Sequence, residues 1–202
     1  MQHRQQGFTL IEIAIVLVII GVLLGGILKG QEMLTQSKIR AIEKELDGVA
    51  IAILGYRDRY KALPGDDSQA NARWTDATSG NGTGTIEGEF NTSDGTKASL
   101  RAWQHLRFAG LISGDAEGGK QPTNAAGGIT GIASNTAGNL IVCTTNLPAK
   151  IANAIDTNQD DGLPEKGSIQ AYEQTAHNTP QTDLATAYKD DGSTQYTICR
   201  KV

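Results

Sequence analysis

Apolar and polar positions divide the chain into regions of different period. Residues 1–7 are polar and include His3 and Arg4. From Phe8 to Leu28, 21 residues, Glu12 is the only charged side chain, and Lys29 closes the run. Further on, Ile39, Ile42, Leu46, Val49, Ile53, Tyr56 and Tyr60 recur at spacings of 3 and 4, one apolar stripe on a helix. Lys38, Arg40, Glu43, Lys44, Glu45, Asp47, Arg57 and Asp58 lie between them and predict a solvated face. The pattern predicts a helix that carries through to Tyr60, and Leu63-Pro64-Gly65-Asp66-Asp67 supplies the breakers that end it.

Beyond the breaker, residues 75–97 are rich in Gly, Thr, Ser and Asn and predict a surface loop. Residues 98–111 return to helical period through Leu100, Trp103, Leu106 and Leu111. A Gly-rich loop follows from Pro122 to Gly138, with a short strand near Ile129–Ile132. Asn139–Thr145 reads as a strand, Pro148 as the first turn of a short helix holding Ile151 and Ile155, and Ser168–Glu173 and Gln195–Val202 as further strands. Helix, loop, helix and then strands make an α+β head on a helical spine.

The first apolar run matches the ~20 residues that cross the hydrocarbon of a bilayer as a helix. Arg4 ahead of it favours a cytoplasmic start, with the rest of the chain outside the cytoplasm. No Ala-x-Ala follows the run, as it would in an ordinary secretory signal. The polar-to-apolar junction instead precedes it, at Gly7–Phe8, and cleavage there would leave the apolar helix on the mature protein. Glu12 is the anomaly, because a carboxylate at mid-bilayer costs roughly 2.5–3.5 kcal/mol and needs a partner. Near the helix start it could reach the headgroups, where the helix dipole favours negative charge. Alternatively, the amino group that cleavage would create on Phe8 could pair with it, within one helix or between neighbouring subunits.

Gly7-Phe8-Thr9-Leu10-Ile11-Glu12 resembles the processing motif of type IV prepilins and type II secretion pseudopilins. The likeness covers about the first 30 residues; beyond them it is one of layout, a long helix laid on an antiparallel sheet. It implies cleavage between Gly7 and Phe8 by a prepilin peptidase, N-methylation of Phe8, and a role for Glu12 in assembly. It also implies an inner-membrane assembly platform, other pilin-like subunits as partners, and a final place in a pilus at the cell surface or in a periplasmic pseudopilus. On this reading residues 1–7 are a leader, 8–35 the membrane-spanning half of the helix, and 36–202 a pilin-like head in the periplasm or outside the cell.

Composition narrows the chemistry. The net charge is −4 and no basic stripe occurs, which argues against nucleic acid as a partner. The chain has two cysteines, Cys143 and Cys199, both in predicted strands. Outside the cytoplasm an even count reads as one disulfide, and the pair resembles the one that staples the C-terminal region of many pilins. Closing a loop of about 57 residues would contribute roughly 4 kcal/mol in the chain-entropy account. Asp156, Asn158, Asp160 and Asp161, followed by Gly162, are the one metal-like constellation, with structural calcium as the ion. Its fit to a calcium loop is imperfect: Asp161 intervenes before the glycine, and Gly167 stands where a bidentate Glu belongs. A polar turn is the preferred reading there, and the same holds for Asp66-Asp67 and Asp190-Asp191-Gly192. No hydrolase, zinc or phosphate-loop motif is present, and His105 reads as a surface or packing residue.

Two functions compete. One is a non-enzymatic structural subunit of a type IV pilus-like filament: major pilin, minor pilin or pseudopilin. The other is a monomeric, membrane-anchored periplasmic binding module, calcium-dependent through the Asp156–Gly162 loop.

Overall fold

The computed structural model describes residues 9–116 and 119–202. Helix α1 runs from Leu10 to Tyr60. After it come α2 (Ala70–Arg73), α3 (Ala98–Phe108), β1 (Thr130–Ser134), β2 (Leu140–Pro148), α4 (Ala149–Gln159), β3 (Ile169–Ala176), β4 (Thr179–Pro180) and β5 (Gln195–Lys201). The strands form one sheet in the order β1-β2-β5-β3-β4, every pairing antiparallel. This is the pilin-like α+β fold that the apolar pattern and the resemblance led us to expect.

Residues 9–34 are exposed throughout, with a mean hydropathy of 2.9 over the most apolar window of α1. Lys38–Val202 forms a compact unit of its own. Within that unit the helical stripe is the floor of the core: Ile39, Ile42, Leu46, Val49, Ile53 and Tyr56 are buried, and Tyr60 packs at the edge. Above them lie Ile132, Val142, Leu147, Ile169, Tyr196 and Ile198 of the sheet, with Trp103 and Leu106 of α3 and Ile151 and Ile155 of α4. Alternate residues of β2 and β5 face the other way, and there Cys143 and Cys199 form a disulfide. They are direct cross-strand partners in the β2–β5 ladder, and Phe90 and Ala133 cover them.

Several local expectations shift. Helix α3 ends at Phe108, because Gly110 takes a left-handed φ of 68° as a helix terminator. The loop 75–97 is not a pure surface loop: Ile86 enters the main core and Phe90 roofs the disulfide. Pro148 ends β2 and precedes α4 instead of lying in its first turn. Glu45 is half-buried against the sheet, and burial raises its pKa.

Buried polar residues fasten the breaker to the rest. Asp66 accepts N–H bonds from Thr83 (3.0 Å) and Gly84 (2.7 Å). Asp67 accepts the Tyr56 hydroxyl at 2.7 Å and pairs with Arg73. Both aspartates are buried, so they are anchors of the loop and not solvated turn residues. His105, fully buried on α3, accepts the Gly65 N–H through Nδ1 (2.9 Å), and its Nε2 lies 2.8 Å from the Thr78 carbonyl. That pattern requires the neutral ring with the proton on Nε2. Gly65 sits at φ 82°, and a Cβ there would collide with the Ala98 carbonyl, so only glycine fits.

Two outcomes follow for chemical denaturation. Leu46→Ala should lose about 2–5 kcal/mol, whereas Ile51→Ala, on the exposed side of the same helix, should stay within about 0.5 kcal/mol of the parent. Burial, aided by Arg101 and Arg73, lowers the His105 pKa from 6.5, so the unfolded chain binds a proton that the fold refuses. Stability should therefore be level above about pH 6.5 and fall as the pH drops below it, and His105→Gln should remove that step while the carboxylate titration at lower pH remains.

Candidate functional site

Two places carry the residues singled out from the sequence: the start of α1 and the loop after α4. Gly7 and Phe8 lie outside the described residues. At Thr9 and Glu12 the chain forms a reciprocal cap. Glu12 Oε2 accepts the backbone N–H and the hydroxyl of Thr9, each at 2.8 Å, while Thr9 Oγ1 accepts the Glu12 N–H at 3.3 Å. This is the Thr-x-x-Glu capping box, in which the side chains at the first and fourth positions satisfy amides that the first helical turn leaves open. The carboxylate thus has two local donors, both on Thr9. The capping signature was present in the sequence at residues 9–12, and the reading of Glu12 through headgroups or the Phe8 amine passed over it.

The acidic loop is built from the end of α4. Asp156, buried in its last turn, accepts the Tyr188 hydroxyl at 2.6 Å and the Gly162 N–H at 3.3 Å. Burial raises the Asp156 pKa, and the charges of Asp160 and Asp161 push the same way. Asp160 Oδ2 accepts the N–H groups of Ser168 (2.5 Å) and Ile169 (2.7 Å), which turns the chain into β3. Asp161 Oδ1 accepts the Leu163 N–H at 2.9 Å.

Oxygens of Asp156, Asp160 and Asp161 lie within 4.8 Å of one another, so the structure brings three of the four candidate ligands together. Asn158 turns away and donates to Glu43 of α1 at 2.8 Å. Calcium takes about six to eight oxygens, and these carboxylates offer one ligand atom each while already holding backbone amides or a tyrosine. The residues present fit a turn that joins α4 to β3 better than they fit a calcium shell. Asp191 plays a similar part, accepting N–H bonds from Ser193 (2.9 Å) and Thr194 (2.7 Å).

Residues 2–28 match the family model described as the prokaryotic N-terminal methylation motif. It is the prepilin-type motif, consistent with the type IV pilin and pseudopilin family, and it implies a structural protein processed by prepilin peptidase. Neither curated proteins nor solved structures give a match to the chain.

If the Asp156–Gly162 segment is a turn, its aspartates should differ in weight. Asp160→Ala should cost about 1–3 kcal/mol, because it strands two amides at the start of β3, and Asp161→Ala should cost clearly less in the same urea titration.

Proposed function

We propose that the chain is a subunit of a type IV pilus-like filament, a pilin, minor pilin or pseudopilin, anchored in the inner membrane by the first half of α1 before assembly. The observation that carries this reading is the methylation motif over residues 2–28, set on a helix whose following apolar residues are exposed all round. A helix that is apolar on every side must be covered by lipid or by other helices, and a filament core supplies the second when the first is left behind.

In this reading prepilin peptidase cuts between Gly7 and Phe8, and Phe8 is then N-methylated. The start of α1 faces the cytoplasm and the head faces the periplasm until the subunit enters a fibre. Glu12 waits in the membrane held by Thr9, which lowers the cost of carrying a carboxylate there. In the fibre the amino group of a neighbouring Phe8 becomes its partner, an ion pair in low dielectric that fixes the axial register of subunits. The Cys143–Cys199 bond holds β2 to β5 in a head that works outside the reducing cytoplasm.

Filament yield in sheared fractions tests the proposal. Glu12→Ala should enter the membrane at the parental level and give few or no filaments, and Thr9→Ala should insert with a smaller loss of assembly. Normal filaments from Glu12→Ala would contradict the reading.

A further inference from the structure

We infer that Glu45 is a proton-operated catch, which fastens α1 to the β1 edge of the sheet when its carboxyl is neutral and slackens when it ionises. The property belongs to the head and is separate from filament formation. Glu45 stands beside the buried stripe of α1, flanked by Ile42, Leu46 and Val49. Its Oε1 is closed off from solvent and accepts no hydrogen bond among the described residues. A buried carboxylate oxygen without a donor is costly, and the cost falls on the ionised form alone. Burial accordingly raises the Glu45 pKa from 4.5, and the Thr130 hydroxyl of β1 works against the rise.

No neighbouring charge offsets that cost. One turn away on α1 stand Ala41, Ile42, Gly48 and Val49, none of which titrates. The charged residues next to it in sequence are engaged elsewhere or face solvent: Glu43 takes the Asn158 amide, Asp47 pairs with Arg200, and Lys44 is exposed. Across from α1, the segment 122–129, β1 and β2 carry no residue that titrates, since Cys143 is in the disulfide.

A buried polar chain continues from Thr130. Thr130, Thr144 and Asn124 are all buried. Thr130 Oγ1 donates to Thr144 Oγ1 (3.3 Å), which also accepts Asn124 Nδ2 (2.7 Å). A threonine hydroxyl has one proton to give. While Glu45 is ionised, Thr130 serves either Thr144 or the carboxylate, and one acceptor goes unmet. Once protonated, Glu45 donates to Thr130, Thr130 donates to Thr144, and the chain from α1 through β1 and β2 to the Asn124 loop is complete. Thr130 and Thr144 are direct partners in the β1–β2 ladder, so the catch ties the helix to the edge strand where that ladder begins. Because the folded pKa lies above the unfolded 4.5, the catch is engaged below about pH 4.5 and released as the pH rises through the folded value. That sense is opposite to the one at His105. In the extracytoplasmic placement proposed above, the pH it reads is that of the surroundings.

Thermal unfolding of the full chain in detergent micelles, followed by circular dichroism between about pH 7.5 and pH 4, tests this. The variant is Glu45→Gln, whose amide stays neutral throughout and can donate to Thr130. At about pH 7.5 it should melt about 2–4 °C above the parent, and the gap should close by about pH 4. His105 and Asp156 titrate in both chains and drop out of the difference. A carbon-13 NMR titration of the Glu45 carboxyl in the parent should place its midpoint above 4.5. The inference is overturned by a variant that gains nothing at the higher pH, or by a gain of the same size in acid. A carboxyl midpoint at or below 4.5 overturns it as well, whether or not the variant folds.

Discussion

Burial of a single helical stripe is the interaction on which the rest of this structure depends. Along α1 the side chains meet two different demands. Up to Leu34 every described position is exposed and most are aliphatic; from Ile39 the apolar residues narrow to one face, and that face is buried to Tyr56. Full burial of each of these side chains is worth about 1.5–3 kcal/mol, so six of them supply a large part of the driving force for a head with few aromatics. Without the stripe, the inward faces of β2 and β5 and the Trp103 side of α3 would have nothing to close against. In the filament subunit proposed above, the same helix would serve as anchor and as core.

The second layer of stability is polar and local. Asp66, Asp67 and His105 tie the chain reversal after α1 to α3 and to the loop around Gly80–Gly84. Asp156, Asp160 and Tyr188 tie the end of α4 to β3 and to the segment before β5. In each case a carboxylate or imidazole, buried at Asp66, Asp67, His105 and Asp156, takes backbone amides or a hydroxyl. Long Gly-rich connections can then be ordered with little apolar surface of their own.

The parts legible in the sequence were those with a period. The 3-and-4 spacing located the stripe residue by residue, and the Leu-Ile-Val-Cys run located β2. The disulfide was legible from compartment and count, yet the cross-strand register that joins Cys143 to Cys199 depends on how β2 and β5 align, which no local pattern encodes. Ile86 and Phe90 were hidden because single apolar residues in a Gly- and Thr-rich stretch carry no period. Asp66, Asp67 and Glu45 read as solvated because charge alone predicts exposure, and only tertiary partners or neighbours reverse it. At the acidic loop the turn reading and the metal reading share the same residues; the amides of Ser168 and Ile169, distant in pattern, separate them. The cap on Glu12 is written in the Thr9-x-x-Glu12 spacing, but a lone charge in an apolar run is the stronger local signal and masks it.

The filament account rests on what happens at the junction before α1, and one measurement addresses it: the intact mass and N-terminal peptide of the protein taken from its native membrane or sheared filament fraction. The account predicts a chain that begins at N-methylated Phe8 and is lighter by the two hydrogens lost in the Cys143–Cys199 bond. A chain still beginning at Met1 in cells with an active prepilin peptidase would contradict it, and would leave a head tethered by an ordinary membrane anchor.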